Sequence, residues 1–135
     1  MNFDIIGIGS ALVDITVRVE DSFLESENLE KGGMILVDAQ RSRTLLDKFS
    51  QEQRTFSPGG AAANVMAAFA HCGGRAGFIG KIGSDQMGKY FETETEKAGC
   101  KFLKLTSKDT LTGIGLTFIT PDGQRTFATH LGAAV

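Results

Sequence analysis

The sequence lacks several features that would assign it to a particular environment. It contains no tryptophan, two prolines and two cysteines, and its 14 lysines and arginines are nearly balanced by 16 acidic residues. A formal net charge of -2 offers no basic surface for nucleic acid. No apolar run is long enough to span a membrane, and the N-terminus has no secretion signal. We therefore expect a cytoplasmic protein without nucleic-acid or membrane partners, in which Cys72 and Cys100 are reduced, buried thiols.

Glycine is abundant, with 17 residues in a chain of 135. Many of these glycines separate apolar segments from helical ones, as at the junctions of α/β proteins. Three apolar segments alternate with helices and suit a buried parallel sheet: 3–9, 75–82 and 101–105. Four other segments suit an antiparallel sheet with one open face: 15–19, 34–37, 112–120 and 124–129. We predict an α/β domain that carries this second, smaller sheet.

A pair of glycines organises the segment 57–80. Gly59 and Gly60 follow Pro58 and precede a run of small apolar residues, which predicts the start of a helix. Glycine allows a positive φ and a close approach of ligand to backbone, and the free N–H groups of a helix start bind anions or hydroxyls. Asn64 lies one turn further on, where its amide could reach the same ligand. A capped core helix is the simpler alternative, and the glycine pair alone does not decide between them.

Asp14 is the second candidate binding residue. It follows the first predicted strand, and α/β proteins bind ligands at the carboxyl ends of their strands. Its carboxylate can accept hydrogen bonds from two hydroxyls, although aspartate is also common in turns. The preceding Gly7-Ile8-Gly9 does not predict a dinucleotide site, because the third glycine is missing and a strand pattern follows where a helix is needed.

These motifs together resemble the ribokinase-like, or PfkB, family of carbohydrate and nucleoside kinases. The run from Gly59 to Asn64 and the later Gly80-Lys-Ile-Gly83-Ser-Asp85 match the spacing of the family's first signature. The family's early substrate aspartate, its lid hairpin and its Gly-Ala run resemble segments 11–14, 110–113 with 122–126, and 132–134. The resemblance covers nearly the whole chain, and the layout of 15–49 looks closest to the adenosine-kinase-type branch.

The resemblance implies a Rossmann-like α/β body with a small β-sheet lid. The body would comprise about 1–14 and 39–105, and the lid about 15–38 and 110–130. It also implies transfer of the γ-phosphoryl group of ATP, with Mg²⁺, to a hydroxymethyl group of a sugar or nucleoside. The substrate-binding residues that it implies are Asp14, Gly59, Gly60 and Asn64, with Ile35 and Phe118 as further contacts from the lid.

The chain also departs from the family pattern. Ala61 stands where ribokinases often have lysine, and Leu12 stands where they have asparagine, which counts against free ribose as substrate. The Gly-Ala-Gly-Asp motif, which in the family supplies the base and the anion site, does not occur. We therefore expect a fragment or a truncated relative that is inactive alone, with its catalytic residues and most of the ATP–Mg²⁺ site outside this chain and no metal site within it.

Two other functions remain open from the sequence. The same residues could form a non-catalytic module that binds a sugar or nucleoside. Alternatively, the one-sided lid sheet could pair with a second copy and form a homodimer, since an open sheet must cover a ligand, another copy or further chain.

Overall fold

The computed structural model describes residues 2–135, which form an α/β arrangement of eight strands and four helices. The strands are β1 (Ile5–Ile8), β2 (Leu12–Arg18), β3 (Met34–Leu36), β4 (Thr55–Gly59), β5 (Ala76–Gly83), β6 (Lys101–Ser107), β7 (Gly113–Ile119) and β8 (Arg125–His130). The helices are α1 (Asp21–Ser26), α2 (Ala39–Leu46), α3 (Ala61–His71) and α4 (Gln86–Lys97), with short 3₁₀ turns at Gln51–Gln53 and Gly132–Ala134. The predicted α/β class is confirmed.

A three-stranded parallel sheet is built from the strands that alternate with helices. Its order is β1-β5-β6, and both pairings are parallel, as predicted from the buried apolar segments. On one face Phe78 packs against Phe91 of α4 and Phe102 of β6, with ring centroids 6.0 and 5.8 Å from that of Phe78. Phe78 and Phe91 are completely buried, so each contributes on the order of 2–3 kcal/mol of burial free energy.

The other face of this sheet is largely uncovered within the described residues. Ile8 is 75% exposed, and Ile6 and Leu105 are also exposed. Parallel sheets are normally covered on both faces, so this apolar surface is unusual for a parallel sheet.

The second sheet has five strands in the order β3-β8-β7-β2-β4. β7 and β8 form the predicted antiparallel hairpin around Pro121, Asp122 and Gly123. The prediction of a wholly antiparallel sheet is wrong, because β3 pairs with β8 in parallel and the sheet is mixed. β4 extends to Gly59 and therefore includes Pro58, which is tolerated because β4 is an edge strand.

Helices α1 and α2 accompany this second sheet. Phe23 of α1 and Phe49, after α2, contact Phe118 of β7, with ring centroids 5.3 and 6.2 Å from that of Phe118. Glu27, after α1, is nearly buried. It accepts hydrogen bonds from Arg41 and forms an ion pair with Lys48. Because the carboxylate is paired with two cations, its pKa is lowered, chiefly by the Lys48 hydrogen bond.

The chain divides into two compact units. One contains the residues up to Val13 with Ser57–Gly113 and Leu131–Val135, and the other contains Asp14–Phe56 and Ile114–His130. The contacts place residues 39–56 in the second unit. The assignment of 39–105 to a kinase body and of 15–38 and 110–130 to its lid stays a prediction.

Candidate functional site

Asp14 lies within β2, not at the tip of the first strand. β1 already ends at Ile8, whereas β2 begins at Leu12, three residues before the predicted start. The reason is that the inward–outward alternation of β2 already includes Val13, which is completely buried. Asp14 therefore points to the face opposite Val13 and Ile15.

The Asp14 carboxylate is half-buried and has no hydrogen-bond partner among residues 2–135. Burial raises its pKa above the ordinary value, because removal of water disfavours the ionised form. Gly115 of the neighbouring strand β7 makes room for it, since a Cβ at that position would lie 2.6 Å from Oδ1. A carboxylate held in this way can accept hydrogen bonds from a ligand.

Apolar side chains share the sheet face of Asp14. Thr129 of β8 is paired with Gly115 on one side and with Leu36 of β3 on the other, so all three lie in the same row as Asp14. The next row contains Phe127 and Met34, which are also paired. Leu36 and Met34 are 58% and 64% exposed. These neighbours were missed from the sequence, although the glycine inside β7 signals a close approach of another group.

Ile35 and Phe118 lie on the opposite face of this sheet. Ile35 is paired with Ala128, which is paired in turn with Leu116, and Phe118 follows Leu116 on the same side. Phe118 is completely buried against Phe23 and Phe49, whereas Ile35 is 47% exposed at the edge. The register thus separates both from Asp14, and their contact with a substrate stays a prediction.

Gly59 and Gly60 have different backbone roles. Gly59 ends β4, while Gly60 is the N-cap of α3 with a φ of 98°. Of the two glycines, Gly60 has a positive φ and Gly59 does not. A Cβ on Gly60 would also collide with the carbonyl oxygen of Ser10. The predicted need for glycine is therefore explained at Gly60 by both conformation and contact.

The start of α3 is formed as predicted. The first N–H groups of any helix have no intrahelical partner, and no side chain caps those of α3. Asn64 is exposed and donates its backbone N–H to Gly60 O at 3.0 Å. Its side chain lines a groove of about 220 Å³ between α3 and α4, together with Pro58 and Thr95.

The predicted site residues therefore form two groups. Gly59, Gly60 and Asn64 surround the start of α3 in one compact unit, and Asp14 lies beside Gly115 in the other. Binding of one ligand by both groups stays a prediction.

Other candidate features are plainer. No helix within residues 2–135 combines the length and apolar character needed to cross a membrane. No cluster of three His, Cys, Asp or Glu side chains in this part of the chain could hold a metal ion. Cys100 is buried, as predicted, and burial raises its thiol pKa, but Cys72 is exposed, which corrects the prediction for that residue.

Comparison with known proteins identifies kinases as relatives of this chain. Residues 27–135 match the model of the pfkB family of carbohydrate kinases. Adenosine kinase of Saccharomyces cerevisiae is 31% identical over 140 residues, covering 99% of this chain. Aminoimidazole riboside kinase of Salmonella typhimurium is 34% identical over 94 residues, covering 65% of the chain.

Solved structures agree with this assignment. Adenosine kinase from Sinorhizobium meliloti superposes with a TM-score of 0.86 at 36% identity, covering 99% of this chain. A probable sugar kinase from Rhizobium etli has a TM-score of 0.88 at 32% identity, covering 98%. The chain spans 41% and 29% of the two curated relatives, and 41% and 40% of the two solved chains. The ribokinase-like fold is thereby confirmed, and the chain belongs to the pfkB family of carbohydrate kinases.

Proposed function

We propose that this chain forms the acceptor-binding part of a kinase that transfers the γ-phosphoryl group of ATP to a hydroxymethyl group. The proposed acceptor is a sugar or a nucleoside, and the observations below favour a nucleoside. Adenosine kinases are among the relatives that match nearly the whole chain. A cytoplasmic location, as expected from the sequence, is part of the proposal.

The observation that carries the proposal is the unpartnered carboxylate of Asp14. No protein group donates a hydrogen bond to this half-buried carboxylate within the described residues, and partial loss of water disfavours its ionised form. Two hydroxyls of a ribose or a sugar ring would supply the missing donors. Their hydrogen bonds would favour the ionised form, so the affinity should fall when acid protonates Asp14.

The neighbours of Asp14 favour a nucleoside over a free sugar. Leu36 and Met34 leave apolar surface exposed on the same sheet face, and Phe127 is paired with Met34. A ligand with hydroxyls at one end and a flat, weakly polar ring at the other would match this combination.

The start of α3, in the other compact unit, is a second candidate binding group. The backbone at Gly59 and Gly60 can approach a ligand closely, and the free N–H groups of the first turn can bind a hydroxyl or an anion. Asn64 would donate its amide to a further hydroxyl.

ATP and Mg²⁺ are proposed for the whole kinase. In the described part of the chain, no carboxylate cluster fits a divalent cation. Bound MgATP would supply the phosphoryl group and neutralise its charge. We assign no catalytic step to the residues of this chain, and the 135-residue polypeptide is expected to show no phosphoryl transfer by itself.

Isothermal titration of the chain with nucleosides and sugars tests the proposal. We expect Asp14→Ala to weaken nucleoside binding by about a hundredfold to ten-thousandfold, since it removes two hydrogen bonds to a charged group and each contributes about 1.5–3 kcal/mol. Asp109→Ala is the matched control, because Asp109 is an exposed loop carboxylate. Equal affinities for the parent and Asp14→Ala would refute the role of Asp14.

A homodimer through the second sheet is a further candidate, favoured by its edge. β3 is an edge strand, and its three residues Met34, Ile35 and Leu36 are all exposed and apolar. Light scattering should then show a dimer that Ile35→Lys dissociates, while Leu105→Lys, an exposed position on the parallel sheet, leaves it intact. A monomeric parent would exclude this assembly.

A further inference from the structure

Four segments of the first compact unit meet at the end of β5. They are the end of β5 at Gly83, the start of α4 at Asp85–Gly88, the chain entering β7 at Leu111–Gly113, and the 3₁₀ turn at Gly132–Ala134. The first two belong to one β–α junction. The last two are the points at which the β7–β8 hairpin begins and returns.

Asp85 and Thr112 join the β–α junction to the start of the hairpin. Thr112 donates its hydroxyl to Asp85 Oδ1 at 2.7 Å and its backbone N–H to Asp85 Oδ2 at 2.8 Å. Oδ1 also accepts the N–H of Gly88 at 2.8 Å, which caps the start of α4. Gly83 donates its N–H to the Thr112 hydroxyl at 2.9 Å. Thr112 is almost completely buried, so the hydrogen bond from Gly83 to its hydroxyl is shielded from water, while the bonds to Asp85 are partly shielded.

The returning end of the hairpin is attached at the same place. Ala133 donates its N–H to Leu111 O at 2.8 Å. A Cβ on Gly132 would collide with Leu111 O, and one on Gly113 would collide with Leu131 O. Glycine therefore allows the two ends of the hairpin to pass each other in backbone contact.

We propose that Asp85 and Thr112 are positioning residues that clamp both ends of the β7–β8 hairpin. Thr112 fixes the outgoing end directly, and the Leu111–Ala133 hydrogen bond transmits that restraint to the returning end. We call these four residues the hairpin clamp. The hydrogen bond from Gly88 to Asp85 caps α4, whereas the two hydrogen bonds from Thr112 to Asp85 join the start of α4 to the start of the hairpin.

The clamp acts on the candidate site through β7. Gly115, which accommodates the Asp14 carboxylate, lies two residues beyond Gly113. Loosening of the clamp would free β7 at its first residue and disturb the space beside Asp14. This consequence rests on the proposed function, whereas the clamp itself does not.

Native-state hydrogen exchange in the parent chain tests the clamp without any substitution. Amides that open in one event show the same opening free energy and the same dependence on denaturant. We expect the amides of Gly83, Thr112 and Ala133 to merge into one such group at low denaturant. An Ala133 amide that opens independently of Gly83 and Thr112 would overturn the proposal.

Thr112→Val provides the second test, with Thr112→Ser as its control. Valine removes the hydroxyl and both of its hydrogen bonds but leaves the cap on Gly88 unchanged. We expect the Ala133 amide to exchange about tenfold or more faster in Thr112→Val and at nearly the parent rate in Thr112→Ser. Exchange of the Gly83 amide should accelerate in any case, because Gly83 loses its own acceptor. If the exchange of no other amide accelerates, the clamp does not reach the returning end of the hairpin at Ala133, and the proposal fails.

Nucleoside titration separates the clamp from the proposed function. Thr112→Val should weaken nucleoside binding several-fold, whereas Asp4→Asn, which breaks the Asp4–Arg75 ion pair elsewhere in the same unit, should not. If the parent binds no nucleoside, the proposed function fails, but the exchange result still decides on the clamp. If the parent binds and Thr112→Val binds equally well with altered exchange, the effect on the site is refuted.

Discussion

Gly60→Ala is the substitution whose cost can be worked out most directly from the structure. Gly60 has a φ of 98° and a ψ of 124°, a conformation that residues with a side chain rarely adopt. Such a backbone conformation costs about 1–3 kcal/mol for a non-glycine residue. The added methyl group would also meet the Ser10 carbonyl oxygen, and forced overpacking costs about 1–3 kcal/mol more. We therefore expect a loss of about 2–6 kcal/mol in the free energy of unfolding.

Gly73→Ala is the matched control, because it isolates the conformational part of this cost. Gly73 follows α3 in the same unit and has a φ of 89°, and no atom lies within 4 Å of the position that its Cβ would take. It should lose about 1–2 kcal/mol. Urea unfolding followed by circular dichroism measures both variants, with the m-value checking that the transition is unchanged. If Gly60→Ala is no more destabilised than Gly73→Ala, Ser10 does not lie against the start of α3 as the structure shows.

Three further substitutions test single features. Asp14→Asn should raise the melting temperature at neutral pH, because burial raises the pKa of Asp14 and the folded state holds its proton more tightly than the unfolded state. The gain should vanish below pH 3.8, where Asp14 of the parent is also protonated. A difference in melting temperature that stays constant with pH would contradict this. The Arg75 hydrogen bonds hold the pKa of Asp4 at about 2, so Asp4→Asn should lower stability above pH 3.8, with a difference from the parent that shrinks as the pH falls toward 2. Ser42 Oγ is buried without a partner among the described residues, so Ser42→Ala should stabilise the chain by about 1 kcal/mol in thermal unfolding, and a loss of stability would reveal a hydrogen bond.

The sequence was sufficient for the elements with strong local patterns. The apolar segments that became β1, β5 and β6 alternate with helical segments, so their parallel pairing could be predicted. Their expected burial on both faces is wrong, because Ile6, Ile8 and Leu105 are exposed. Residues 83–85 predict a turn and an N-cap, with Ser84 or Asp85 as the capping residue, and the structure shows that Asp85 caps α4.

Strand direction and neighbours in the second sheet were harder to predict. The parallel pairing of β3 with β8 depends on contacts between residues more than 90 positions apart, such as Ile35 with Ala128, for which local patterns carry no signal. The place of Pro58 within β4 has no local signal, because an edge position that tolerates proline within a strand is known only after the sheet is assembled.

The candidate site was predictable in its residue types but not in its arrangement. Asp14 stood out as a carboxylate after an apolar strand, yet its lack of partners depends on what surrounds it in the folded chain. Likewise Ile35 and Phe118 have the apolar character expected beside a substrate, but a two-residue alternation places them on the face away from Asp14.

The closeness of Gly115 to Asp14 has a consequence for how this protein can diversify. Any larger residue at position 115 must displace the carboxylate, so the effect of changing one position depends on what occupies the other. A substitution at 115 that is harmful beside aspartate should become tolerable once position 14 is shortened to alanine. Libraries that vary the two positions one at a time would therefore miss stably folded pairs that simultaneous randomisation would recover.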